Sequence, residues 1–451
     1  WSSGGERGVY KSTNGGKDWR LVLKDNKWTG ASELVLDPRN PDRIYAVMWQ
    51  RHRTVAAYMG GGPGTGIYRS EDGGESWKKL TNGLPTKSNM GKIGLDISKQ
   101  QSDILYAAIE LDRRTGGVYK STDRGENWVK QSDAVAGATG PHYYQELYAS
   151  PHHFDRLYLM DASMQISNDG GKTFYRMNEK NKHGDNHAIA FKQSDPDYLL
   201  IGSDGGLYET FDHTKTWRFM ANLPLTQFYD LALDDSEPFY NVFGGTQDNS
   251  TEGGPSRTDN WQGIQNSDWR VVLNWDGHQP ATEPGNPNIM YAQRQQGTLS
   301  RIDMITGEIV DVQPQPKDGE VYERFNWDAP ILVSPHKPTR LYFGSQRVWK
   351  SEDRGDSWVP ISDDLTRDQN RFDLPIMGSK QSWDNAWDVS AMSNYNTISA
   401  ISESPVKPGL IYAGTDDGFI NITENDGKSW RKIEVKKLPG APAMAYVNDL
   451  K

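Results

Sequence analysis

Cysteine is absent from this 451-residue chain, which excludes disulfides, Cys-ligated zinc and a thiol nucleophile. The absence leaves the compartment open. Positive charge is in deficit: 50 Lys and Arg face 60 Asp and Glu, a formal net charge of −10. Without a basic stripe to neutralise phosphates, nucleic acid is not the expected partner. No apolar run reaches the ~18 residues that a membrane-crossing helix needs. Neither a GxSxG elbow nor a GxxxxGK[ST] loop occurs, so neither α/β-hydrolase nor P-loop chemistry has support. The hydrophobic fraction, 35%, is low for a helical globule.

What the chain has instead is turns and aromatics: 45 Gly, 24 Pro, 21 Tyr and 16 Trp. That profile suits short strands joined by tight turns. One phrase recurs seven times: STNGGKDW (Ser12–Trp19), SEDGGESW (Ser70–Trp77), STDRGENW (Ser121–Trp128), SNDGGKTF (Ser167–Phe174), TFDHTKTW (Thr210–Trp217), SEDRGDSW (Ser351–Trp358) and TENDGKSW (Thr423–Trp430). Most copies follow a strand–turn–strand pattern such as ELVLDPRNPDRIYAVM. Aligned on the second strand, these patterns place Tyr45, Tyr106, Tyr158, Leu200, Val242, Tyr291, Tyr342 and Tyr412 at one position. Four short strands per unit, repeating every roughly 40–70 residues, is the signature of a β-propeller blade. The phrase falls in the turn between third and fourth strands. There Asp72, Asp123, Asp169, Asp212 and Asp353 have a structural role, accepting backbone N–H groups, while Gly takes positive φ and Trp packs between sheets.

These phrases are Asp-boxes, or BNR repeats, and the chain resembles the propellers that carry them: sialidases, sortilin-type proteins and xyloglucanase-type (family 74) glycoside hydrolases. The strings NKHGDNHAIAF, GSDGGLYETFD, NLPLTQFYDLALD, GGTQDNST and GTDDGFINIT are similar to secreted proteins common in Bacteroidetes, grouped as BNR-repeat glycosyl hydrolases or sortilin N-terminal domain-like proteins. The resemblance implies an all-β fold of two tandem seven-bladed propellers, of which this chain is a fragment. Phrases cease after Trp217 and NLPLTQFYDLAL opens two phrase-free units, so the boundary is expected near Asn222–Thr226. Residues 1–224 would then hold about five blades of the first propeller and 225–451 about four of the second. A single ten-bladed ring of the sortilin kind is the alternative. The chain begins at Trp1 inside a repeat, so any signal peptide is expected upstream.

Candidate chemistry lies outside the phrases. His183, Asp185 and His187 would share one face of a strand, a spacing able to hold a divalent metal; hydrogen bonding within a blade top explains it as well. Asp248, in GTQDN, is loosely comparable to the general acid that family 74 enzymes carry near the start of their second propeller. Their base belongs to the first blade of the first propeller, beyond this chain, and glycoside hydrolysis needs two carboxylates about 5–10 Å apart. Asp204 in GSDGG, Asp276 in NWDGHQ and Asp416–Asp417 in GTDDG follow strands and are either turn formers or acids. Trp275, Trp327, Asp328, Tyr143 and Tyr144 are candidates for holding substrate, as are Trp383 and Trp387, with core packing the plain reading. No Arg-Ile-Pro string of the sialidase kind occurs.

The expectation is thus an extracytoplasmic propeller (periplasmic, cell-surface or secreted) that binds or hydrolyses polysaccharide. It needs no cofactor unless the His/Asp cluster takes a metal. The alternative is a non-catalytic, sortilin-like module binding a protein or peptide.

Overall fold

The computed structural model describes all residues except 1–4, 87–89, 112–114, 138–142, 224, 382–392 and 443–444. Trp383 and Trp387 lie outside the described residues. The chain forms two compact units, Trp1–Leu223 with Arg371–Met392, and Pro224–Asn370 with Ser393–Lys451. No described helix is long and apolar enough to cross a membrane.

Among the described residues, eight four-stranded antiparallel sheets follow one another along the chain. In unit 1, blade 1 comprises Thr29–Asp37, Asn40–Gln50, Gly66–Ser70 and Lys78–Leu80. Blade 2 comprises Ile93–Ile97, Leu105–Glu110, Gly116–Ser121 and Val129–Ser132. Blade 3 comprises Leu147–Ala149, Leu157–Leu159, Gln165–Ser167 and Tyr175–Arg176. Blade 4 comprises Asn186–Phe191, Leu199–Ser203, Gly206–Thr210 and Arg218–Phe219. A two-stranded hairpin, Val9–Lys11 with Arg20–Leu23, precedes them and carries the first phrase. In unit 2, blade 5 comprises Asp230–Leu233, Asn241–Gly245, Thr251–Pro255 and Arg270–Leu273. Blade 6 comprises Ala281–Thr282, Ile289–Arg294, Thr298–Asp303 and Ile309–Asp311. Blade 7 comprises Ile331–Val333, Leu341–Gly344, Val348–Ser351 and Val359–Pro360. Blade 8 comprises Ile398–Glu403, Ile411–Thr415, Phe419–Thr423 and Arg431–Glu434. The fold is an all-β propeller fold in which blades 1 to 4, 7 and 8 carry the repeated phrase and blades 5 and 6 do not. Arg371–Met392, between blades 7 and 8 in sequence, belongs to unit 1, where Phe372 packs on Trp49 and Tyr58.

Register explains the recurring tyrosine. Tyr45, Tyr106, Tyr158, Leu200, Tyr342 and Tyr412 each pair with the residue just before the phrase's hydroxyl: Arg69, Lys120, Ile166, Glu209, Lys350 and Ile422. Tyr45, Tyr106, Tyr158, Tyr291 and Tyr342 are fully buried. Each such ring removes large apolar area from water. Four of the hydroxyls are satisfied by the next blade: Tyr45 donates to the Arg124 carbonyl at 3.3 Å, Tyr106 to Asp155 at short range, and Tyr342 to Glu403 at 3.3 Å. Tyr158 meets His213 Nε2 at 3.2 Å. The apolar clusters likewise lie between successive blades, as with Leu105, Ala107 and Tyr119 against Tyr45, Val47 and Ile67.

The Asp-boxes close the turns as the phrase requires. The Asp169 carboxylate accepts the N–H groups of Lys172 and Thr173 at 3.0 and 2.9 Å and the Thr173 hydroxyl at 2.6 Å, while the Ser167 hydroxyl accepts from Gly171 at 2.9 Å. Asp72, Asp123, Asp212 and Asp353 repeat this pattern. Hydrogen bonds, from the Thr173 and Thr216 hydroxyls above all, hold the Asp169 and Asp212 carboxyls down at about 2. Two consecutive left-handed residues make the turn, Gly73 and Gly74 at φ 67° and 90° in one copy. In the divergent copy His213 and Thr214 adopt φ 53° and 74°, a strained conformation for a β-branched residue.

Candidate functional site

In a four-stranded meander, successive turns alternate between the two ends of the sheet. The Asp-boxes join third to fourth strands and mark one rim of each unit. The second-to-third turns and the connections from one blade to the next share the opposite rim. The described candidate residues outside the boxes fall in those segments, except His187, which lies on the first strand of blade 4. The first strands of blades 1 to 4 face a hollow of about 340 Å³, lined by Glu33, Leu34, Leu36, Asp96, Tyr148 and Phe191 among others. A hollow of about 450 Å³ between blades 6 and 7 lies instead among box residues such as Asp353 and Arg354. Its charges are largely consumed by pairs such as Arg301–Asp356 at 2.9 Å, so we do not take it as the site.

On the unit 1 rim, the His183–Asp185–His187 face does not form. The strand starts at Asn186, Asp185 has φ 52°, and the pairing shifts register between Asn186 and Ala188. The alternation needed for a shared face is broken, and the three sets of ligand atoms do not converge. His187 turns to Asp204 instead, with Nε2 2.7 Å from Oδ1, and stacks on Tyr144 at a centroid distance of 5.3 Å. The hydrogen bond to Asp204 raises the His187 pKa above its ordinary value, against a smaller opposing effect of burial. Tyr144 is buried and donates to Asp185 at short range, while His183 Nδ1 lies 3.8 Å from Asp185 Oδ2. Tyr143 is exposed. Asp204, expected as an acid, is occupied as the partner of His187.

Deeper in unit 1, Lys92 pairs with Glu146 at 2.5 Å. Glu33 keeps some solvent contact, yet protein surrounds it on most sides and burial pushes its carboxyl up to about 8, assisted by the Glu146 charge and opposed by the Leu95 N–H at 2.6 Å. Nothing in the local string around Glu33 or Lys92 marks them; only the packing of the first strand of blade 1 beside that of blade 2 brings them together.

The unit 2 rim gathers more of the candidates. The turn after the second strand of blade 5 is stitched to the connection into blade 6: Ser250 N–H donates to the Trp275 carbonyl at 2.7 Å and Gly277 N–H to the Thr246 carbonyl at 2.8 Å. A Cβ at Gly245 would lie 1.8 Å from the His278 carbonyl oxygen, so that approach demands glycine. Asp248 rides on this turn, half-buried at φ 57°, and Asp276 is half-buried beside Trp275. Trp275, at φ 78°, leaves 68% of its surface exposed. His278 is 0% exposed, stacks on Tyr229 at 5.1 Å and meets the edge of Trp327 at 5.8 Å. Its Nδ1 lies 3.6 Å from Asp328 Oδ1, and neither ring nitrogen has a hydrogen-bond partner. Burial pushes His278 down to about 4. Burial also pushes Asp328 up to about 6, with the Asp230 charge adding and the Gln279 N–H subtracting.

Asp416 accepts the Thr397 N–H at 3.0 Å and Asp417 accepts the Arg367 N–H at 2.6 Å, bonds that tie this turn to distant segments of unit 2. Asn326 is buried against Thr397 at 2.8 Å. Reasoning from the sequence named Trp327 and Asp328 singly but missed Tyr229 and Asp230, whose signal was their place opening the first phrase-free blade.

Comparison with known proteins gives the following. No family model matches. The chain is 23% identical to a xyloglucanase of Hypocrea jecorina over 399 residues, 81% of this chain and 43% of that protein. It is 27% identical to a xyloglucanase of Acetivibrio thermocellus over 135 residues, 27% of this chain and 15% of that protein. The crystal structure of a family 74 xyloglucanase from Xanthomonas campestris aligns with a TM-score of 0.33 at 15% identity, covering 88% of this chain and 52% of that one. The chain therefore spans less than half the length of these two curated relatives. It is similar in sequence to xyloglucanases, as its resemblance to family 74 propellers implies.

Proposed function

We propose that the protein is an extracytoplasmic propeller, one part of a tandem pair, that binds polysaccharide at the unit 2 rim. The observation that carries this is Trp275, held by its backbone at the rim with about two-thirds of the residue's surface exposed, beside the half-buried Asp276 and Asp248. An exposed indole next to carboxylates suits a sugar ring: the apolar face stacks and the hydroxyls donate to the acids. Trp327 and Asp328 extend the same surface. The similarity to xyloglucanases makes a β-glucan of the xyloglucan type the first polysaccharide to try. Tyr143 on the unit 1 rim is a further stacking residue. Asp248 and Asp276 are retained as acids to be tested, and Asp204 is given the supporting role of holding His187.

The test is affinity electrophoresis of the full chain against xyloglucan and a panel of other plant and bacterial polysaccharides. Trp275→Ala is expected to weaken binding about tenfold, equivalent to ~1.4 kcal/mol. Retarded migration in none of the gels would end the polysaccharide reading and favour a protein or peptide partner.

A further inference from the structure

We propose that Lys182 and Asn186 join in a self-catalysed isopeptide crosslink at the entry to blade 4, with Glu179 as the acid–base group of the reaction. The inference goes beyond the polysaccharide reading and does not depend on it. Its basis is a buried triad on the connection from blade 3 to blade 4. The Lys182 side chain is 0% exposed and that of Glu179 13%, and Asn186 is fully buried. Lys182 Nζ donates to the side-chain oxygen Oδ1 of Asn186 at short range. Oδ1 is bonded to Cγ, so the amine sits next to the carbon it would attack. Glu179 Oε1 accepts from both reacting nitrogens, from Lys182 Nζ at 3.3 Å and from Asn186 Nδ2 at 2.7 Å. Nδ2 also donates to the Asp161 carbonyl at 3.0 Å, and Nζ to the His183 carbonyl at 2.7 Å, so both groups are fixed.

The pairing of Lys182 with Glu179 would satisfy a buried amine by itself. What it leaves unexplained is the primary amide set between that amine and that carboxylate, with its carbonyl turned to the first and its nitrogen to the second. The rings of Tyr208 and Trp217, each centred 5.5 Å from Nζ, complete the walls around the amine. The charges that act on Lys182 are those of Glu179 and Asp185, which favour the ammonium; burial outweighs them and lowers the amine below its ordinary value. A desolvated lysine amine is a nucleophile, and holding it against its electrophile makes the attack unimolecular.

In the step proposed, Lys182 first passes a proton to Glu179, leaving a neutral amine and a carboxylic acid. Nζ attacks Cγ of Asn186; the Nζ–Cγ bond forms and the Cγ–Nδ2 bond breaks. Glu179 gives its proton to the departing Nδ2 and takes one from Nζ. The products are a secondary amide and ammonia, which leaves as ammonium with the proton Glu179 still holds. No oxidant, metal or other reactant is consumed. In a chain without cysteine the bond supplies a covalent staple that no disulfide can, closing a ring over His183, Gly184 and Asp185 next to His187.

The test is peptide mass spectrometry of the full chain, as purified and after prolonged incubation at neutral pH, digested with trypsin under denaturing conditions. Trypsin does not cut after an acylated lysine. The expected wild-type peptide is therefore residues 181–192, uncut after Lys182, lighter by one ammonia, and giving no fragments from breaks between Lys182 and Asn186. Glu179→Gln is expected to form the crosslink at least ~100-fold more slowly, and Lys182→Arg to keep its ammonia. A wild-type peptide cut after Lys182 overturns the proposal, whether at full mass or lighter by one ammonia through closure of Asn186 on its own backbone. Crosslinking in Glu179→Gln within threefold of the wild-type rate overturns the role given to Glu179. If Glu179→Gln does not fold, the wild-type peptide decides the matter.

Discussion

Each unit carries a tyrosine stacked on a histidine that faces an aspartate: Tyr144, His187 and Asp204 in unit 1, and Tyr229, His278 and Asp328 in unit 2. The ring geometries are close, with centroid distances of 5.3 and 5.1 Å and interplanar angles of 17° and 20°. The electrostatic outcomes are opposite. His187 is partly open to solvent and sits 2.7 Å from its carboxylate, so the charged form is favoured. His278 is sealed and sits 3.6 Å away, so the ion is penalised and its partner acid is pushed towards neutrality. The same three side chains favour an ion pair where water reaches them and disfavour one where it does not. Burial, not composition, sets the protonation state.

The largest expected effect comes from forcing a charge into each position. His278→Glu buries a carboxylate beside Asp328 and Asp230 and should destabilise unit 2 by more than ~3 kcal/mol. His187→Glu, at a part-exposed site, should cost no more than about 1 kcal/mol. Chemical denaturation followed by the fluorescence of each unit's tryptophans measures both, and equal losses would erase the contrast.

A second prediction uses pH. Asp328 titrates at about 6 in the fold against about 3.9 unfolded, so it adds stability as pH falls between those values. His278 titrates at about 4 against about 6.5 unfolded, so it removes stability over nearly the same window. In wild type the two slopes oppose each other. Asp328→Asn should therefore make unit 2 lose stability on acidification from pH 7 to 4, and His278→Gln should make it gain. Thermal melts across that range check the signs, and like signs in the two variants would refute the pairing.

The unit 1 counterpart has the opposite sense. The raised His187 value means that the Asp204 pair stabilises below the unfolded pKa of about 6.5, and that this is lost as pH rises through the folded value. Asp204→Asn should cost about 0.5 kcal/mol at pH 6, less at pH 8, and return the His187 titration seen by NMR towards 6.5. The smallest expected effect is that of Tyr144→Phe, which removes the hydroxyl bond to Asp185 and keeps the stack, at about 0.5–1 kcal/mol.

These contrasts separate what was legible in the sequence from what was not. The repeated Asp-box and the aligned tyrosines depend on period and local turn chemistry, and the strand register reproduces that alignment from Tyr45 to Tyr412. The His183/Asp185/His187 face depends on unbroken alternation, which one left-handed residue and one register shift suffice to destroy. The link between His278 and Asp328 spans adjoining blades, and the difference between that pair and His187–Asp204 is one of solvent access, which no local string encodes. The packing of Phe372 in unit 1, against Trp49 and Tyr58, is likewise an outcome that no local string encodes.

The buried tyrosines carry one further implication. Because the hydroxyls of Tyr45, Tyr106, Tyr158 and Tyr342 are each satisfied by the blade that follows, dependence runs one way along the chain. Loss of a blade orphans a buried hydroxyl in its predecessor but not in its successor. Within each unit the array thus has a direction: opening that starts at the C-terminal blade should propagate backwards more readily than opening from the N-terminal blade propagates forwards, a polarity readable in the order in which backbone amides exchange.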